Sequence, residues 1–510
     1  MAEAASGLRV VVLFGSGLSC YNDGPTGKRL NGGWVQRNPY RASRLDEAPI
    51  QSIASLAWCG SGLSPQRQSF EFGWAFMGTV AKAPTIGYGG ADSSLELDQM
   101  VEIVRERLED VRRSSKLLAI IPDKTRDDNT HILFPAAAEA LASRGVSSLD
   151  VLVAQGTHPP MTASEKLAKL GIEEGRASRS GCVGRNWQGR IFDHCWDRPG
   201  DLETLGELKG HDVHRLTGGL LEEPISLTAN RLLGARHYDA ILVFGATMPH
   251  EVAGFSGGAK YFFPGVAGPE LTHATHWLGA LSSIEHVIGK VETPIRALIE
   301  AAADCVVPEV ISFNSVVSRD RNGNLRTHGL FAGDIRDAFR RAAEVSAKVH
   351  IRHTGRRYRR VVALLDTHYD DMWVGGKASY KLGGIIEEAG ELLIFAPHLK
   401  RISETHGELI ERFGYAPIEK VRDMVAQHQV LRDNLCVAAH LAHVAYAGRL
   451  DSTGGIVPRY RITLASGIDE ATCRRVNLGF MDCRDFRVND YADDPDTLVV
   501  ERAGTDLYLV

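Results

Sequence analysis

The feature that most constrains this chain is an alternation of short, wholly apolar runs with longer segments of helical periodicity. The runs are LRVVVLFG (8–15), LLAIIP (117–122), VLVAQG (151–156), ILVFG (241–245), VVALLD (361–366), LLIFAP (392–397) and ITLASG (462–467). Between them, 98–115 carries Met100, Val101, Val104 and Leu108 at helical spacing, and FPAAAEALASRG follows LLAIIP. Five or six apolar residues without alternation imply strands buried on both faces, the pattern of parallel strands covered by helices. The expectation is an α/β fold of two α/β domains with mostly parallel sheets and the active site in the cleft between them. The expected partition is 1–280, 281–490 and a terminal stretch 491–510 whose strand returns to the N-terminal domain.

Composition narrows the function classes. Lys plus Arg number 58 and Asp plus Glu 63, a net charge of -5. That balance argues against a dedicated nucleic-acid binder. The basic cluster RHTGRRYRR (352–360) is short and isolated and reads as a solvated connection. No run approaches 18 apolar residues, so no membrane span is expected. Residues 1–15 lack a basic leader, and the eight cysteines contain no CxxC. Neither a secretory signal nor a disulfide or zinc framework is indicated, which leaves a cytoplasmic protein as the expectation. Two segments, 16–92 and 174–223, show little periodicity and read as a lid or irregular layer and an insertion.

Chemistry collects where the runs end. In open α/β sheets ligands bind beyond the carboxyl ends of the strands. LLAIIP runs into Asp123-Lys124-Thr125-Arg126, VLVAQG into Thr157-His158, ILVFG through to His250, and VVALLD into Thr367 to Trp373. Four such junctions point to one shared site. After His250, Gly254, Gly257 and Gly258 flank Phe255-Ser256, a loop whose backbone N–H groups can cradle an anion, with Lys260 beside it. The glycine spacing is not a Walker A motif, and the G-x-G stretches at Gly15 and Gly60 lack a third glycine. His273 and His276, three apart, would share a helix face, so one can ligate a metal.

In order, these motifs read DxTR (Asp123 to Arg126), GTH (Gly156 to His158), His194-Cys195-Trp196-Asp197, PH-x4-FSGG-x-K (Pro249 to Lys260), Pro264-Gly265, and a histidine sixteen residues past that lysine, His276. MWVGGKASYKLGGII (372–386) follows. The series resembles the nickel-dependent lactate racemases and their 2-hydroxyacid racemase and epimerase relatives, over roughly 117–396. The resemblance implies a nickel-pincer nucleotide tethered to Lys260, with His276 as the protein ligand of nickel. It also implies His158 and His250 as an acid/base pair and Arg126 and Lys377 on the substrate carboxylate. Asp123 would orient the arginine or cofactor. Thr125, Ser256, Gly257 and Gly258 would complete the cofactor site, and Trp373 would line the substrate.

The implied reaction is inversion of C2 of a 2-hydroxy acid by proton-coupled hydride transfer through a 2-keto acid. The implied partners are the small-molecule acid and the cofactor-synthesis enzymes, with a homo-oligomer left open. Trp373-Val374 stands where lactate-specific members would present Tyr-Gln, so malate, aryl-lactates and sugar acids compete with lactate. A sugar-acid 2-epimerase using the same machinery is the second expectation. A metallohydrolase with His158, His250 and His276 as zinc ligands is the third. Singly, these residues have plainer readings: His158 as a turn cap, Lys260 as solvated, Arg126 paired with Asp123, Asp127 or Asp128, Trp373 as core, and Tyr380 and Lys381 on a helix surface.

Overall fold

The computed structural model describes residues 13–14, 84–112, 115–146, 148–172, 187, 189–234, 237–320 and 322–510. The two G-x-G stretches, most of 16–92 and the start of 174–223 lie outside the described residues.

One sheet has eight strands: β1 (Leu13–Phe14), β2 (Ile86–Gly89), β3 (Lys116–Pro122), β4 (Ser148–Ala154), β5 (Arg190–Asp193), β6 (Ala240–Ala246), β7 (Glu309–Arg319) and β8 (Leu325–Gly333). Their order is β1-β5-β4-β3-β6-β7-β8-β2. Every pairing from β1 to β7 is parallel, while β8 pairs antiparallel with both β7 and β2. A second sheet holds β9 (Tyr358–Leu364), β10 (Ile386–Ala396), β11 (Tyr460–Ser466), β12 (Gly479–Asp482) and β13 (Thr497–Val500). It runs β12-β11-β10-β9-β13, parallel throughout. The fold is α/β with mostly parallel sheets.

The unbroken apolar runs follow from burial on two faces. In β3, Leu117, Ala119 and Ile121 enter one core with Leu133, Phe134 and Leu141 of helix Thr130–Ser143. Leu118 and Ile120 enter the opposite core with Leu271 and Leu278 of helix Pro269–Ser282 and Ile295 and Leu298 of helix Pro294–Ala303. Alternation of side chains along a strand makes both sets necessary. The helix starts carry their own signals: Thr293 accepts from the Arg296 N–H, and Pro294 sits in the first turn, where its missing N–H costs nothing.

Strands β7 and β8 lie beyond residue 280 and complete the large sheet. The last strand, Leu507–Leu509, pairs with Ile351–His353, which leaves helix Ile335–His350, itself packed on β7 and β8. Within 174–223, β5 joins the large sheet, and Leu202–Leu208 pairs with Ile225–Asn230 in a hairpin. The basic stretch at 352–360 is neutralised locally: Arg352 meets Asp506 at 3.0 Å and Arg360 meets Glu391 at 2.9 Å. One contact matters most for function. Helix Pro269–Ser282 packs against helix Leu435–Val444, bringing residues from either side of the second sheet's first strands to one cleft.

Candidate active site

β3, β4 and β6 end side by side, and a cleft opens beyond their carboxyl ends. It is lined among others by Asp123, Arg126, His158, His250, Ser256, Gly257, Lys260, His276, Trp373 and Lys377. Its empty space, open mouth included, is about 1060 Å³. Ten of the twelve residues singled out in the sequence thus meet in one place. Thr125 lines the adjoining cavity with Arg126, His250 and Lys377, and Gly258 is buried and lines neither.

Turn chemistry holds Asp123. Its Oδ1 accepts the Thr125 backbone N–H at 2.9 Å and the Thr125 hydroxyl at 2.6 Å, a local turn closed by the aspartate itself. Its Oδ2 lies 2.7 Å from His158 Nδ1. Asp123 therefore orients His158, and its oxygens are not spent on Arg126. Burial alone would raise this carboxyl, but His158 and Arg126 outweigh it and hold Asp123 well below the usual carboxylate range.

His250 is buried, and its Nδ1 accepts backbone N–H groups from Val252 at 3.1 Å and Ala253 at 3.4 Å. Burial first, then Lys260, Arg126, Lys377 and Lys381, push the imidazole well below its ordinary pKa, so it is neutral. The glycine loop is shaped by packing as much as by any ligand. Ser256 Oγ donates to Ala246 O at 2.9 Å and accepts from Met248 N at 3.0 Å. The Gly258 N–H donates to Asn314 Oδ1 at 3.0 Å. Buried Arg296 donates to the carbonyls of Phe255 and Gly257 while lying 4.0 Å from the Phe339 ring centroid.

Lys260, Lys377 and Arg126 form no salt bridge among the described residues. Burial, reinforced by Arg126, pushes the amines of Lys260 and Lys377 down to about 7, while Glu251 pulls the other way. With Arg126, Lys260 and Lys377 on its wall against Asp123 and Glu251 among the described residues, the cleft is suited to an anion.

His276 Nδ1 lies 2.7 Å from Thr272 O, which can only accept, so Nδ1 carries the proton and Nε2 is a free lone pair. Burial holds this imidazole down to about 4. His273, its neighbour on the same helix, instead accepts the Cys436 N–H at 3.3 Å. Of the two, His276 lines the cleft. Among the described residues no group of three or more His, Cys, Asp and Glu side chains is placed to hold a metal ion. His158, His250 and His276 thus do not form the three-ligand zinc set of the hydrolase expectation.

Several cleft residues escaped the sequence reading. Glu251, Tyr380, Cys436, His440 and His443 all line it. Tyr380 is buried and bonds His440 Nδ1 at 3.0 Å, and buried Lys381 donates to Thr505 O at 2.5 Å, so neither is a helix-surface residue. Trp373 lies with its ring centroid 4.5 Å from that of His406 and 4.3 Å from that of His440. The only early signal for the His440 and His443 pair was their i, i+3 spacing in an apolar stretch.

Residues 92–289 match the family model of the lactate racemase N-terminal domain. A lactate racemase of Thermoanaerobacterium thermosaccharolyticum is 29% identical over 173 residues, 34% of this chain and 34% of that protein. The match therefore spans about a third of the curated relative's length. A solved structure of a Thermotoga maritima protein shares 32% identity with a TM-score of 0.75, covering 82% of this chain and 99% of that one. The lactate racemase apoprotein of T. thermosaccharolyticum, at 16% identity, shares the fold with a TM-score of 0.59 over 83% of this chain and 100% of its own. Together with the motifs gathered in the cleft, these matches show that the chain belongs to the lactate racemase family.

Proposed function

We propose that the chain is a racemase or epimerase that inverts C2 of a 2-hydroxy acid with a nickel-pincer nucleotide. The observation that carries this reading is the convergence of His158, His250, Arg126, Lys377, Lys260 and His276 on one cleft. The residues fit the group. His276 offers a single imidazole lone pair, oriented by Thr272 O as metal-bound histidines commonly are. Lys260, with its amine at about 7, is substantially neutral near pH 7 and so nucleophilic enough to form the covalent tether. When bound, the group supplies the acceptor and donor of hydride.

The chain supplies the rest. The planar guanidinium of Arg126 can grip a carboxylate through two parallel hydrogen bonds, which an ammonium cannot copy. Lys377 adds a second cation on the same wall. His158, backed by Asp123, takes and returns the hydroxyl proton, since imidazole serves as both acid and base near neutral pH. Trp373 and Val374 form an apolar side where the lactate-specific pattern has polar groups. That apolar wall favours an acid with an apolar substituent, such as an aryl-lactate, and malate and the aldonates of a 2-epimerase are the alternatives to lactate.

The test is an intact-mass measurement on protein co-expressed with cofactor-synthesis enzymes, followed by a racemisation screen over lactate, malate, aryl-lactates and aldonates. The expected result is an adduct on Lys260, lost in Lys260→Ala, with nickel bound and turnover of at least one acid. Unmodified Lys260 with zinc in the cleft would overturn the reading.

A further inference from the structure

A second cavity opens at the C-terminal end of helix Leu435–Val444 and shares no lining residue with the cleft. Its empty space, open mouth included, is about 820 Å³. Val444, Pro458, Ile462 and Leu478 give it apolar walls, and Arg459 and Arg461 are its charged groups. No Asp or Glu lines it among the described residues. The acids behind the arginines do not balance them. Glu391 is shared between Arg461 at 2.7 Å and Arg360 at 2.9 Å, and Arg459 meets Glu285 at 2.9 Å. Three guanidiniums are thus set against two carboxylates. Arg461 is exposed and spends Nε and Nη2 on Glu391, which leaves Nη1 without a partner among the described residues. An apolar cavity with a spare guanidinium edge at its mouth suits an apolar body that carries one carboxylate.

Two tyrosines connect this cavity to the cleft. Buried Tyr415 lines the cavity and places its hydroxyl 3.4 Å from His440 Nε2. His440 lines the cleft, bonds the Tyr380 hydroxyl through Nδ1 at 3.0 Å, and lies 4.3 Å from Trp373 between ring centroids. Tyr460 also lines the cavity, with its hydroxyl 3.0 Å from Ser379 Oγ. That serine donates to Val444 O at 2.9 Å, so Tyr460 is the donor to it. Ser379 belongs to helix Lys377–Leu382, which also carries Lys377 and Tyr380 of the cleft wall.

We propose that this cavity is a second ligand site, for a monocarboxylate with an apolar or aromatic body, and that its occupant is felt at Trp373 through Tyr415 and His440. The carboxylate pairs with Arg461 while the body takes the apolar walls out of water. A body pressed against Tyr415 displaces the hydroxyl that His440 faces. His440 is itself packed among Tyr380, Tyr415 and Trp373, and a close-packed interior passes such a displacement on. The coupling is reciprocal, so a cleft ligand that reseats Trp373 changes affinity at the cavity. Neither part depends on which acid the cleft turns over.

The probe is 3-phenylpropionate, titrated by calorimetry into full-length Arg126→Gln protein, whose cleft lacks its guanidinium clamp. One binding site is expected. Adding Arg461→Gln, or replacing the probe with 3-phenylpropionamide, should weaken binding about 10-fold or more, as for a lost charge-assisted hydrogen bond. Adding Ala447→Trp, which fills the cavity, should abolish it. No binding, or binding that neither substitution weakens, would overturn the proposal, and Arg461→Gln alone decides if the bulkier variant fails to fold. Tryptophan emission reads the coupling. Saturation with the probe should change it, and Trp373→Phe and Tyr415→Phe should each remove most of the change, with binding kept in Tyr415→Phe. Binding without a Trp373-dependent change would refute the route to the cleft. A dimer in light scattering that Arg461→Gln or Ala447→Trp breaks would assign the cavity to a second copy of the chain and overturn the ligand site.

Discussion

Asp123 and Lys260 show what single residues do when a cleft is short of acids. Asp123 divides its two oxygens between Thr125 and His158, so Asp123→Asn keeps the turn and removes the charge behind the imidazole. The expected effect is a kcat fall of about 10²-fold or more with little change in stability, read by steady-state turnover beside urea unfolding. Unchanged kcat would show that His158 works without its carboxylate. Lys260 offers a test that needs no substrate. A group lowered from 10.5 to about 7 is mostly free amine at pH 8, whereas a surface lysine is almost wholly protonated. At pH 8, Lys260 and Lys377 should acylate well ahead of the surface lysines, as followed by peptide mass spectrometry, and the lead should shrink toward pH 10. Sequence made His158, Lys260 and His276 legible because each sits at a fixed step from a strand end or a glycine loop. It left Glu251 and His443 hidden, because their roles come from what crosses the cleft, and neither carries a local pattern.

At the scale of elements, the loop from Gly254 to Lys260 was read as an anion cradle, and its glycines turn out to answer to sterics first. Gly257 has φ 93°, and a Cβ there would strike Thr247 Oγ1 and come within 3.0 Å of Asn314 Oδ1. Gly156, in the β4 turn, has φ 56° but nothing nearer than 3.9 Å to its missing Cβ. The two positions therefore separate backbone strain from crowding. Gly156→Ala should cost about 1–2 kcal/mol, the left-handed backbone penalty alone. Gly257→Ala should cost about 2–4 kcal/mol and also shift Lys260, slowing its acylation and its adduct formation. Urea unfolding with the same labelling assay distinguishes them. Equal costs and an unaltered Lys260 would show that the loop yields to the methyl group. Arg296, whose guanidinium pins Phe255 and Gly257 by their carbonyls, could not be linked to this loop from sequence, since the two lie about forty residues apart.

Over the whole molecule, the parallel strands were legible wherever burial on both faces left an unbroken apolar run, as in β3, β4, β6 and β9 to β11. Strands β2, β5, β7 and β8 were missed for physical reasons. β2 is a four-residue edge strand built of Ile86-Gly87-Tyr88-Gly89, and β7 mixes Ser312, Asn314 and Ser315 into a buried ladder. Burial of polar groups also shapes the response to acid. His194, His350 and His406 are buried, and burial lowers them to about 4, about 3 and about 4. Each lies below its ordinary value of 6.5, so between pH 6.5 and about 4 the unfolded chain binds more protons than the folded one. Stability must therefore fall as pH drops through that window, by about 1.4 kcal/mol per pH unit for each imidazole. Three such groups give a slope near 4 kcal/mol per unit, steep against a typical total of about 5–15 kcal/mol. His350 is the clearest lever, because neither ring nitrogen has a hydrogen-bond partner among the described residues and the side chain is wholly enclosed. His350→Leu removes one titrating group and two unpaired polar atoms from the interior. Urea unfolding at a series of pH values from 7.5 to 5 should then show a slope smaller by about 1.4 kcal/mol per unit below pH 6.5. An unchanged slope would mean that His350 takes up its proton without unfolding the helix that carries it.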